Sequence, residues 1–256
     1  RIQYPGGVPK SSEPSWSVWL SGIPASNAPS LAERFGTDFL RYMAFVPDAG
    51  SGFDVRKYDF DRDPPRLATM ARIYDATNPD LTAFRERGGK LLLFHGWADP
   101  LVTPQRTLDY YGAVRATMGG AESTAQFARL FMLPGVDHCG LQPGPGAKSV
   151  DFDPLPALEA WVERNEAPTT LNVRWQMNDG SVRSRDVAAP SGTFASSAIL
   201  RSMAVRAISH TMYATSSTRP ASARYANDRK RLNGWIVTSR AAPRGRAVHA
   251  RWDVAA

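Results

Sequence analysis

The sequence predicts an α/β fold whose chemistry sits on loops at strand ends. Three observations carry that prediction. "GGKLLLFHG" (88–96) is a short continuous apolar run opened by glycines and closed by a glycine turn, the pattern of a parallel strand buried on both faces. "FARLFML" (127–133) is a second such run, and each is followed by a loop and then a helical pattern that opens on a proline. Strand, loop, helix, repeated, reads as the end of an α/β sheet.

Residues 1–80 come first and differ in kind. They are rich in Pro, Gly, aromatic and Asp residues ("YPGGVPKSSEPSWSVWLSG", "DFDRDPPRLATMARIYDATNPDL") and offer no strand series. Leu31, Phe35, Phe39, Leu40, Tyr42 and Met43 recur near helical spacing, so one helix is expected within an irregular cap or lid. In 81–170 the pattern is regular. After the first strand, Thr103 is a candidate N-cap with Pro104 at the first helical position. Leu108, Tyr111, Val114 and Met118 then keep helical spacing until Gly119 and Gly120 stop it. After the second strand, Asp153 and Pro154 open a helix with Leu155, Leu158, Trp161 and Val162 on one face and Pro168 beyond its end.

Residues 171–256 form an Arg/Ala/Ser-rich tail in which no sustained period is read, and an irregular extension is expected. The net charge of +7 belongs to this tail alone. Residues 1–170 carry 17 basic and 20 acidic side chains, whereas 171–256 carry 14 and 4. The scattering of single arginines among Ala and Ser does not form the clusters that polyanion-binding arms use, so no nucleic-acid partner is expected. The alternative function is a non-catalytic basic binding protein that works through the Arg-rich tail. No run approaches the roughly 18 apolar residues of a spanning helix, and no membrane partner is expected.

In open α/β sheets, functional groups gather at the carboxyl ends of strands. Asp99 stands in "HGWADP" after the first strand and His138 in "PGVDHCG" after the second. Adjacent strand ends would let a carboxylate orient an imidazole, and the order Asp then His matches the second and third members of an α/β-hydrolase triad. Asp99 before Pro100 can equally be a turn former, and His138 can be an ordinary loop residue. Asp137 ranks below Asp99, because neighbours along a loop point in different directions. His95 is expected to pack or hydrogen-bond near the strand end, and His210 and His249 lie in the tail with no constellation. No G-x-S-x-G nucleophile elbow occurs anywhere in the 256 residues.

"DATNPDLTAFRERGGKLLLFHGWADPLVTPQRTLDYYGAV", "ARLFMLPGVDHCG" and "LEAWVERNEAP" resemble the C-terminal half of the tannase and feruloyl esterase family, over roughly residues 1–170. That resemblance implies the C-terminal half of an α/β-hydrolase with the last part of an inserted lid, a serine esterase for small-molecule esters of aromatic acids such as gallate or ferulate. It implies Asp99 as triad acid and His138 as triad base. It also implies that Cys139, the only cysteine, pairs with a cysteine before the nucleophile, so a secreted or periplasmic location is implied. No catalytic cofactor is implied. A structural calcium belongs to the family's lid, and its loop has no counterpart in this sequence. The family's Cys-Ser nucleophile and oxyanion loop have none either, so the expectation is a fragment that is inactive alone. Trp16, Trp19, Arg41 and Phe45 are the candidate substrate contacts. Trp97 is expected to support the acid loop from behind.

Overall fold

The computed structural model describes residues 7–140, 144, 146–190, 214–216 and 236–239. Among the described residues, four α-helices precede the first strand, the first three of them in the lid-like region. They are α1 (Trp16–Trp19), α2 (Leu31–Tyr42), α3 (Ala68–Tyr74) and α4 (Thr82–Glu86). The expected helix is α2, and its start is set by Ser30, whose hydroxyl accepts the Glu33 N–H at 3.1 Å. Among the described residues of this region the only β pairing is an isolated bridge between Ile23 and Ala28.

Strand β1 (Lys90–Gly96), helix α5 (Pro104–Thr117), helix α6 (Gly120–Ala125) and strand β2 (Ala128–Leu133) follow in order. β1 and β2 pair in parallel from Leu91↔Ala128 to Gly96↔Leu133. Their side chains alternate between two cores, as the pleat requires. Leu91, Leu93, Leu130 and Met132 pack with Tyr111 and Val114 of α5 and with Met118 just past its end. Leu92, Phe94, Phe131 and Leu133 face the other way, onto Leu158 and Trp161 of α7 (Leu155–Arg164). Trp161 is fully buried, and the cations of Lys90 and Arg129 lie 5.3 and 5.5 Å from its ring.

A second, antiparallel sheet stands in the order β3 (Ala147–Asp151), β4 (Thr170–Met177), β5 (Val182–Ala188). Its Leu171, Val173 and Val187 close the core beneath α7. This corrects the expectation of an irregular tail from residue 171. "TLNVRWQM" alternates apolar and polar at period two, and buried Leu171, Val173 and Met177 point inward at that period, with an Asp179-Gly180 turn behind them. Backbone segments β6 (Ala214–Ser216) and β7 (Ile236–Ser239) extend the first sheet, β7 lying antiparallel to Lys90–Leu92 of β1. The remainder of the Arg-rich tail, with His210 and His249, lies outside the described residues. No helix among the described residues is long and apolar enough to cross a membrane.

Candidate acid–base site at the strand ends

The parallel register puts the ends of β1 and β2 side by side, and the backbone carries the pairing into both loops. Trp97 N–H donates to Leu133 O at 2.8 Å, and Ala98 N–H donates to Val136 O at 3.0 Å. Gly96 makes this approach possible, since a Cβ there would stand 2.1 Å from the Val136 carbonyl oxygen. The His138 loop is bent by Gly135, Cys139 and Gly140, all with positive φ. For Cys139, at φ 66°, this left-handed conformation costs about 1 kcal/mol.

The structure brings Asp99 and His138 together: the His138 Nδ1–H donates to Asp99 Oδ2 at 2.8 Å. The two readings of Asp99 prove compatible. Its Oδ1 accepts the N–H groups of Leu101 and Val102 at 2.9 and 2.8 Å, which is the turn-forming role, while Oδ2 serves the imidazole. Burial pushes the Asp99 carboxyl up, but hydrogen bonds and charge from His138 and His95 outweigh it and hold the group at about 2. Burial likewise works against a charged His138, yet Asp99 and the adjoining Cys139 raise it to about 10. The ring retains 27% side-chain exposure, so one edge remains accessible.

His95 was expected only near the strand end, and its link to the carboxylate is new. Its Nε2 lies 2.9 Å from Val102 O and 3.3 Å from Asp99 Oδ2. The available signal was its position four residues before Asp99 in "HGWAD". Asp137 is buried but turned elsewhere, accepting the Trp19 indole N–H at 2.9 Å on Oδ2. The Trp19 ring meets His138 edge-on, with centroids 4.7 Å apart.

The four candidate substrate contacts fare differently. Trp19 is 2% exposed and walls the histidine, so it offers no open stacking face, because further protein could only bury it more. Phe45 is also buried, between Phe53 and the Arg66 guanidinium at 4.5 Å. Trp16 is partly exposed and donates to Ser12 Oγ at 2.8 Å, while Arg41 donates to Phe53 O at 3.2 Å. None of the four is brought to the His138 ring except Trp19. Trp97 is tied to Leu133 by its backbone N–H, and the residue is 45% exposed. Cys139 is a free, half-buried thiol. Among the described residues no group of three or more His, Cys, Asp or Glu side chains is placed to hold a metal ion.

Residues 7–193 match the family model described as tannase and feruloyl esterase, so the likeness continues past residue 170, where it was expected to end, and takes in the β4–β5 hairpin. Over 208 residues the chain is 35% identical to an uncharacterized esterase of Xanthomonas campestris, covering 67% of this chain and 35% of that one. Over 180 residues it is 44% identical to a mono(2-hydroxyethyl) terephthalate hydrolase of Piscinibacter sakaiensis, covering 64% and 28%. Its fold is similar to that of a solved tannin acyl hydrolase from Aspergillus niger, at 25% identity and a TM-score of 0.50 over 59% of this chain and 29% of that one. The chain thus spans about a third of the length of the curated relatives it matches.

Proposed function

The chain belongs to the tannase and feruloyl esterase family, and from that premise we propose that it carries the acid and base of a serine esterase acting on small esters of aromatic acids. The observation that supports this most directly is the 2.8 Å bond from His138 Nδ1 to a buried Asp99 Oδ2. In this reading 81–170 belong to the C-terminal half of an α/β-hydrolase core and 1–80 to the end of its inserted lid. Residues outside these 256 supply the serine.

The chemistry follows from the geometry. A carboxylate on Nδ1 fixes the tautomer in which Nε2 is free to accept the serine proton, and it stabilises the imidazolium that results. His138 then returns that proton to the leaving alcohol. With the ring held at about 10, the resting form at neutral pH is the imidazolium, which cannot act as a base. Covering its exposed edge with substrate and nucleophile removes water and drives the ring toward the neutral form. In the same reading, Cys139 pairs with a cysteine beside the nucleophile, and the whole protein works in an oxidising compartment outside the cytosol.

The test is to join the 256 residues behind the nucleophile-bearing segment of the 44% identical relative and to measure hydrolysis of methyl ferulate and methyl gallate. Turnover that His138→Ala and Asp99→Asn reduce by about 10³-fold or more supports the reading. Turnover indifferent to both substitutions overturns it.

A further inference from the structure

The Asp99 carboxylate faces two imidazoles. His138 uses Oδ2 from one side, and His95 stands 3.3 Å from the same oxygen on the other. His95 lies within β1, its side chain 11% exposed, and it is gripped at both ring nitrogens. Nε2 faces Val102 O at 2.9 Å, and a carbonyl can only accept, so Nε2 carries a proton. In the neutral ring Nδ1 then accepts from the Thr107 hydroxyl of α5 at 2.7 Å.

These contacts close a circuit. The Val102 carbonyl accepts the His95 Nε2–H, the Val102 N–H holds Asp99 Oδ1, and the same His95 nitrogen stands 3.3 Å from Asp99 Oδ2, so its one proton lies between carbonyl and carboxylate. We propose that His95 is a positioning residue for the acid–base pair, one that fixes the plane of the Asp99 carboxylate and, by drawing on Oδ2, limits the negative charge that Asp99 presents to His138. The inference rests on reading Asp99 and His138 as that pair.

The alternative is that His95 merely fills space at the strand end, and the two roles move His138 in opposite directions. A second donor on Oδ2 stabilises the carboxylate and makes it a weaker partner for the imidazolium, so losing that donor makes His138 more basic. Losing a mere filler loosens the loop, weakens the bond from His138 to Asp99 and makes His138 less basic. The titratable groups facing this centre are Asp99, His95, His138 and Cys139, and Asp137 turns its Oδ2 to Trp19.

The experiment follows the His138 ring nitrogens of the 256-residue chain by NMR from about pH 5 to 11, in wild type, Asp99→Asn, His95→Met, His95→Gln and Thr107→Val. His95→Met is expected to raise the His138 midpoint by about half a pH unit, about threefold in proton affinity. His95→Gln, whose terminal N–H reaches the same oxygens, is expected to keep it near wild type. Thr107→Val is expected to raise it by less than His95→Met, because the ring loses one of its two grips. Asp99→Asn lowers the midpoint if the underlying pair exists, whatever His95 does. A midpoint unmoved in Asp99→Asn overturns the pair itself. A lowered midpoint there, with no rise in His95→Met or Thr107→Val, overturns the role of His95 alone. Should His95→Met fail to fold, a rise in Thr107→Val with His95→Gln unchanged supports the proposal, and no rise refutes it.

Discussion

Trp19 donates its indole N–H to Asp137 Oδ2 at 2.9 Å, joining two residues 118 positions apart in the chain. The same ring packs edge-on against His138. The lid-like region is therefore bonded to the loop that carries the histidine, at a buried site where a hydrogen bond is worth more than on the surface. Trp19→Phe keeps an aromatic ring and removes the donor. It is expected to cost about 2 kcal/mol, read as a lowered urea midpoint at unchanged slope, and to shift the His138 ring resonances. A midpoint equal to wild type would show that the bond contributes nothing.

Gly96 is the point at which the two loops come closest. Any side chain there meets the Val136 carbonyl at 2.1 Å, and that carbonyl is already fixed by the Ala98 N–H. The obstacle is backbone and cannot rotate away. Gly96→Ala is expected to cost about 3 kcal/mol and to lengthen the bond from Asp99 to His138. By contrast Gly112, with open space around its Cβ position within α5, should accept Ala with a small gain. Thermal melts of the two variants check the contrast, and equal effects would count against the close approach.

The pH dependence of stability follows from the same pair. Asp99 falls from 3.8 to about 2, so its contribution is present above about pH 4 and is lost as pH falls toward 2. His138 rises from 6.5 to about 10, so its contribution is complete below about pH 6.5 and is lost as pH rises toward 10. The stability difference between wild type and Asp99→Asn should therefore be largest at about pH 4 to 6.5 and shrink on both sides. Urea midpoints across that range measure it, and a difference that grows from pH 7 to 10 would contradict the assignment.

Some of this was legible in the residues and some was not. The two buried strands, α5 and α7 could be read because apolar runs and prolines at helix starts are local signals, whereas Asp99 and His138 were one reading of two strand-end loops until the family resemblance of the motifs around them singled them out. The β4–β5 hairpin was legible too, in the alternation of "TLNVRWQM" and the turn behind it, but the arginines around it drew the whole stretch into the tail. The Trp19 bond to Asp137 was not, since nothing in either segment names a partner so distant in sequence. For the same reason the aromatic residues of the lid were expected at a substrate. Composition marks them as large and apolar, and only packing reveals that Phe45 lies under Arg66.

Activity gives the last prediction. The chain brings an acid and a base together, but a base without a nucleophile has no proton to take, and removing the nucleophile from a triad removes about as much rate as removing all of it. No G-x-S-x-G elbow occurs in the sequence. Asp99 beside it also raises His138 above the usual histidine range, which favours the charged ring over the free base at neutral pH. The purified 256-residue chain is therefore expected to hydrolyse p-nitrophenyl acetate and methyl gallate no faster than its His138→Ala variant, from pH 6 through about pH 9. Turnover by the chain that His138→Ala abolishes would mean that one of its own side chains serves as nucleophile, and the proposed division of the triad would fall.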